Sequence, residues 1–281
     1  MTSTLSPVVL EERFAWSEGF ETFVRSWRPP AATRGVLVIV HGFNSHSGHY
    51  LAVGQQFAES GLAVYALDLR GRGKSDGERF YIEKLSDYMH DIEQLVALAK
   101  RREPGLPVFL LGHSAGGVLS CTYALDHQQE LAGLICESFA YQVPAPDFAL
   151  AVLKGLSHLA PHTHVLRLKI EDFSRDPAIM QTLLADPLIA GEVQPTLTVA
   201  EMVRADERLK REFAHITLPV LILHGTTDKV TRPEGSQYFY DHTGSADKTL
   251  KLYEGHAHDL LNDLDRDLVM DDLQGWIEHR L

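Results

Sequence analysis

Gly112-His113-Ser114-Ala115-Gly116 joins the apolar run Pro107–Leu111 to a stretch of small residues with helical character. Few folds accommodate such a junction. A strand that turns sharply into a helix crowds its own backbone two positions either side of the turn, and only very small residues fit there. A serine at the apex is lifted out of the sheet, with the N-terminus of the next helix aimed at it. That arrangement suits a nucleophilic hydroxyl whose reaction creates an oxyanion. The five-residue pattern alone is weak in a chain with 21 glycines, where a capping serine in a Gly-rich turn also fits it. The strand-to-helix context gives the pattern its weight.

The segments around it alternate. Val8–Trp16 and Phe20–Trp27 read as a hairpin about the turn Ser17-Glu18-Gly19. After Pro29-Pro30, short apolar strands at 35–40, 62–69, 108–111 and 131–136 alternate with helices at 50–60, 88–102 and 116–127. Continuous apolar strands separated by helices predict an α/β fold with a mostly parallel sheet covered by helices on both faces. The rhythm stops near Phe139 and returns at Pro219–Leu223, followed by a helix near 233–242, a strand at 249–253 and a helix over 263–280. We therefore expect a core formed by 1–139 and 216–281, and a helical cap or lid inserted over 140–215. Such an insertion lies over the C-terminal strand ends, where open α/β sheets bind ligands. On its apolar face stand Val152, Leu153, Leu156 and Leu159. They read either as the lining of an acyl tunnel or as ordinary packing of the cap on the core.

A net charge of −12 makes nucleic acid and anionic membranes poor partners. Cys121 and Cys136 fall in a predicted helix and a predicted strand and read as buried thiols, which fits a cytoplasmic protein. The N-terminus lacks a basic stretch followed by an apolar one, and no apolar run reaches the length of a membrane span. Any membrane contact is expected to be transient and through the cap. Gly71-Arg72-Gly73-Lys74-Ser75 ends like a phosphate loop, but Asp68 stands where that motif needs glycine.

A serine hydroxyl needs a base to take its proton and an acid to orient that base. On a strand–turn–helix nucleophile these follow in the order Ser, Asp or Glu, His. Asp228 lies just beyond the returning strand, and His256 and His258 lie beyond the next. His258 is preferred, because its extra residues carry it past the strand into the loop. Asp228 also reads as a plain turn residue beside Thr226 and Thr227. A metal site built on His256, His258 and Asp259 lacks a further ligand cluster at suitable spacing, so no metal is expected. After the first buried strand comes His41-Gly42-Phe43, the place from which a backbone N–H joins that of Ala115 as oxyanion donors. His41 reads as a buttress of this loop.

With these pieces assembled, the chain resembles the monoacylglycerol lipases and related lysophospholipases of the α/β-hydrolase fold nearly end to end. The carrying motifs are His41-Gly-Phe-Asn-Ser-His-Ser-Gly-His-Tyr50, Gly71-Arg-Gly-Lys-Ser-Asp-Gly77, the elbow around Ser114, Ser174-Arg-Asp-Pro177, Asp186-Pro-Leu188 and the segment Lys248–His258. The resemblance implies a catalytic triad of Ser114, Asp228 and His258, an oxyanion hole of Phe43 and Ala115, no cofactor, and a small lipid ester as substrate. Typical monoglyceride lipases carry Gly, Glu and Arg where this chain has Asn44, Ser45 and His49. These three are candidates for binding the alcohol half, in a less charged pocket. The expected reaction is hydrolysis of a monoacylglycerol-like ester through an acyl-enzyme. A lysophospholipase or general carboxylesterase differs only in the alcohol group. A peptidase, a cofactor-free peroxidase and a non-catalytic receptor are the remaining readings of the same fold.

Overall fold

The computed structural model describes residues 6–141 and 147–281. Strands β1 (Val8–Ser17) and β2 (Phe20–Arg28) form the expected antiparallel hairpin. They lead into β3 (Gly35–Val40), α1 (Leu51–Glu59), β4 (Leu62–Leu67), α2 (Leu85–Arg102), β5 (Val108–His113), α3 (Ala115–His127) and β6 (Gly133–Glu137). Next come α4 (Asp147–Leu159), the short strand β7 (His164–Leu166), α5 (Pro177–Ala185), the short strand β8 (Gln194–Pro195) and α6 (Thr196–Glu212). The chain ends with β9 (Val220–Gly225), α7 (Pro233–His242), β10 (Lys248–Tyr253) and α8 (Arg266–Glu278).

One eight-stranded sheet runs in the order β1-β2-β4-β3-β5-β6-β9-β10. It is parallel from β4 to β10, and β2 joins β4 antiparallel. Alternation along β3 sorts the core into two layers. Val36, Val38 and Val40 pack with residues of α2, α3, α6 and α7, whereas Leu37 and Ile39 pack with α1 and α8. After β3 the chain crosses to β4 on one side, and after β4 it returns to β5 on the other. The chain thus leaves β3 and β5 toward opposite sides of the sheet, which makes their C-terminal ends a topological switch point.

The chain from 140 to 215 adds no strand to this sheet among its described residues. Its parts do not behave alike. Met202, Ala205 and Leu209 of α6 are buried in the same cluster as the strands. By contrast Phe173, Leu183 and Ile189 form a small cluster of their own. An amphipathic helix shows in sequence which face it buries, but not against what. None of the described helices is long and apolar enough to cross a membrane.

Candidate functional site

The elbow is built by close approach. Ser114 has φ 55° and ψ −120°, a conformation costly for a residue with a side chain and stable only where the surroundings impose it. Those surroundings need Gly112 and Gly116. A Cβ on Gly112 would stand 2.3 Å from Gly116 O, and one on Gly116 would stand 2.1 Å from Val40 O. The turn is tied down by Ser114 N donating to Glu137 O at 2.9 Å and Gly117 N donating to Ser114 O at 2.9 Å.

Asp228 and His258 meet beside it. His258 Nδ1 donates to Asp228 Oδ2 at 2.8 Å, and both side chains are fully buried. Asp228 uses its two oxygens differently: Oδ1 accepts Val230 N and Thr231 N at 2.7 and 2.9 Å, while Oδ2 faces the imidazole. Burial pushes the Asp228 carboxyl up, but His258, His224 and Thr231 around it overcome that and hold it well below the usual carboxylate range. The other ring nitrogen of His258, Nε2, is buried and has no hydrogen-bond partner. Its ring lies 5.0 Å, centroid to centroid, from that of His113, the residue before Ser114, and 5.0 Å from Phe173. No hydrogen bond joins Nε2 to Ser114 Oγ; such contacts often tighten only around a substrate. His256 turns elsewhere, with Nδ1 at 3.2 Å from Glu254 O.

The loop after β3 presses on the elbow. A Cβ at Gly42 would lie 2.8 Å from Ser114 Cβ and 3.3 Å from Ala115 N. Among the described residues, neither Phe43 N–H nor Ala115 N–H donates a hydrogen bond within the protein. His41 buttresses this loop: its Nδ1 donates to Gly42 O at 2.7 Å and its Nε2 accepts Leu69 N at 3.0 Å. Burial keeps that imidazole neutral, holding its pKa well below the ordinary histidine value.

The three residues expected at the alcohol end fall into two groups. Ser45 Oγ bonds His49 Nδ1 at 3.2 Å, and His49 Nε2 reaches Asp186 Oδ2 at 2.9 Å, where His46 Nε2 also arrives at 2.8 Å. Burial, then the neighbouring His46, lowers the pKa of His49. Asp186 is raised by burial but lowered further by His46, the Leu188 backbone and His49, to about 2. This histidine pair and carboxylate have the composition of a metal site, but Gly48 N donates to His46 Nδ1, so Nε2 carries the proton. The trio is a hydrogen-bonded latch. Asn44 lies apart from it, at φ 52°, with its N–H on Glu192 Oε1 at 2.9 Å.

The apolar face of α4 is largely open. Val152, Leu156 and Leu159 are 65%, 38% and 86% exposed and Leu153 is half-buried, so this face of α4 neither packs on the core nor lines an enclosed channel as it stands. Helical spacing identified an apolar face; it carried no information on what that face meets.

Several residues around the site went unassigned in sequence. His224 Nε2 lies 3.1 Å from Asp228 Oδ2, with Nδ1 on Ser236 Oγ at 2.7 Å. Its spacing four residues before Asp228, across a turn, was the available signal. Ser138, at φ 47°, donates to His258 O and so ties the end of β6 to the histidine loop. Behind the elbow, His113, Glu137 and Asp259 are buried together. Burial and then Asp259 push the Glu137 carboxyl well up, and burial pushes Asp259 up as well. Burial also keeps His113 neutral. No lysine or arginine pairs with Glu137 or Asp259 among the described residues. Cys121 and Cys136 are buried free thiols, with their sulfurs 3.4 Å apart.

Comparison with known proteins agrees with this geometry. The model of the serine aminopeptidase S33 family matches residues 31–265. A monoacylglycerol lipase of Mycolicibacterium smegmatis is 34% identical over 275 residues, covering 96% of this chain and 98% of its own. The human monoglyceride lipase is 29% identical over 269 residues, with 94% and 89% covered. The crystal structure of the Paleococcus ferrophilus monoacylglycerol lipase is similar at a TM-score of 0.83 and 28% identity, over 92% of this chain and 99% of that one. A match that takes in both halves of the sheet and the insertion between them makes this chain a member of the serine aminopeptidase S33 family, among its monoacylglycerol lipase-like α/β-hydrolases.

Proposed function

We propose that the protein is a serine carboxylic ester hydrolase that cleaves monoacylglycerol-like lipid esters through an acyl-enzyme on Ser114. One observation carries this reading: a serine held at φ 55° on a strand-to-helix turn, next to His113, whose ring lies 5.0 Å from an imidazole with Nδ1 engaged by a buried carboxylate and Nε2 unpartnered. His258 Nε2 takes the Ser114 proton as Oγ attacks the ester carbonyl, and Asp228 holds the ring in the tautomer that makes Nε2 the acceptor. The N–H groups of Phe43 and Ala115 receive the oxyanion, aided by the N-terminus of α3. His258 then protonates the departing alcohol, and a water activated by the same nitrogen releases the fatty acid.

The alcohol half meets Ser45 and His49, both engaged in the latch on Asp186, so a neutral polyol suits this end better than a charged headgroup. Asn44 borders the same loop. The stretch 140–215 serves as the cap. Within it the exposed apolar face of α4 offers Val152, Leu153, Leu156 and Leu159 to an acyl chain, or transiently to a lipid surface. A cytoplasmic setting, which keeps thiols reduced, suits the unbridged Cys121 and Cys136.

A hydrolysis profile tests the reading: kcat/KM for 1-monoacylglycerols, lysophosphatidylcholines, p-nitrophenyl esters of graded chain length and an aminoacyl anilide. Monoacylglycerols should exceed lysophospholipids of equal chain length. Preference for the lysophospholipid or the anilide would reject the proposed substrate class.

A further inference from the structure

We propose that Glu192, on the segment between α5 and β8, is a positioning residue for the oxyanion site. The inference rests on the reading of Phe43 N–H as an oxyanion donor. Asn44, the next residue, has φ 52°, a left-handed conformation that asparagine tolerates but does not prefer. Something must hold that peptide in place. Glu192 Oε1 does so by accepting Asn44 N–H at 2.9 Å, from a position far along the chain. The carboxylate is itself gripped: Arg72 Nη1 donates to the same oxygen, as does Gln194 Nε2 at 2.6 Å. Arg72 Nη2 donates to Gln194 Oε1 at 2.6 Å, and Arg72 Nε to Tyr88 OH at 3.2 Å. The guanidinium also lies 4.4 Å from the centre of the Phe43 ring. Arg72, Glu192, Gln194 and Asn44 are all buried.

The consequence is that the oxyanion loop is held from two sides. The elbow fixes it at Gly42, and Glu192 fixes it at Asn44. The segment bearing Glu192 is anchored in turn, with Asp186 on His46 and His49 and Leu188 O on Arg79. The segment bearing Glu192 therefore holds the peptide that follows Phe43 from a fixed position.

A buried ion pair could serve charge balance alone, and the test separates that role from positioning. Two charge-neutral double variants, Arg72→Met/Glu192→Gln and Arg72→Met/Glu192→Met, fill similar volume and differ in whether Asn44 N–H keeps an acceptor. With p-nitrophenyl butyrate, the Met double should lose about tenfold to hundredfold in kcat, with KM changed less than about threefold. The Gln double should recover most of that loss. Equal kcat in the two doubles overturns the proposal. Asn44 and Asn262 are the chain's two asparagines, so selective ¹⁵N-asparagine labelling isolates the Asn44 amide. Its proton should lie downfield in the native enzyme and move upfield in the single variant Glu192→Gln, which serves if the Met double does not fold. An unmoved resonance overturns the proposal. With ¹⁵N-phenylalanine, the Phe43 amide should shift when a fluorophosphonate modifies Ser114. If it does not, the oxyanion reading fails and the proposal with it. If it does while the doubles have equal kcat, the proposal alone fails.

Discussion

Gly42→Ala puts one methyl group into the narrowest part of the site. The added Cβ would lie 2.8 Å from Ser114 Cβ, 2.9 Å from His113 O and 3.3 Å from Ala115 N. Carbon atoms in contact sit at about 3.5–4.0 Å, so the two loops must part by roughly 0.7–1.2 Å. Two of the three atoms met are backbone and the third is the nucleophile's own Cβ, so no rotamer change relieves the clash. Parting the loops separates Phe43 N–H from Ala115 N–H. A displacement of about 1 Å at a reacting centre costs on the order of 10²-fold, and loss of one oxyanion donor about 10²–10³-fold. We expect kcat for p-nitrophenyl butyrate to fall about 10²-fold with KM within about threefold, because ground-state binding of the acyl chain is untouched. Overpacking should cost about 1–3 kcal/mol of stability, seen as a modest drop in Tm. Steady-state kinetics with a parallel thermal melt checks both. A folded Gly42→Ala enzyme within threefold of native kcat would refute the placement of the oxyanion site between these loops.

His258→Ala should abolish turnover while His256→Ala keeps most of it, since His256 is engaged with Glu254 O and His258 with Asp228; kcat/KM for the two variants decides. Glu137 is fully buried, and burial and then Asp259 push its carboxyl well above the ordinary carboxylate range. An acid with a raised folded pKa contributes stability that is full below the ordinary carboxylate range and declines as pH rises toward the folded value. Glu137→Gln should therefore flatten the dependence of Tm on pH above about pH 4.3, and a Tm profile as steep as the native one would reject that assignment. Leu153→Trp, at the half-buried position of the α4 face, should lower kcat/KM for long-chain esters and spare butyrate. The discrimination should grow by about 0.8 kcal/mol per methylene no longer buried, and an unchanged chain-length profile places the acyl site elsewhere.

What the sequence disclosed and what it hid follow from the range of the interactions. The strand at 35–40 and the helix at 233–242 were legible because a fully buried strand and a Pro-started helix are local patterns. The elbow was legible because its glycines answer to backbone atoms only a few residues away or on the neighbouring strand. The meeting of Asp228 with His258 was legible through their order along the sheet. Arg72 and Glu192 were not, since a buried ion pair between distant loops leaves no periodicity. The fate of α6 and the exposure of α4 were hidden for a related reason. Both helices carry an apolar face, yet α6 buries Met202, Ala205 and Leu209 against the sheet while α4 leaves Val152 and Leu159 open.

A covalent acyl intermediate on Ser114 can be caught by intact-protein and peptide mass spectrometry during turnover. With a slowly deacylating p-nitrophenyl ester, a stoichiometric burst of p-nitrophenol is expected. The peptide containing Ser114 should carry an acyl mass increment, with both absent in Ser114→Ala at unchanged Tm. A burst that survives in Ser114→Ala, or an acyl group found on another residue, would contradict it.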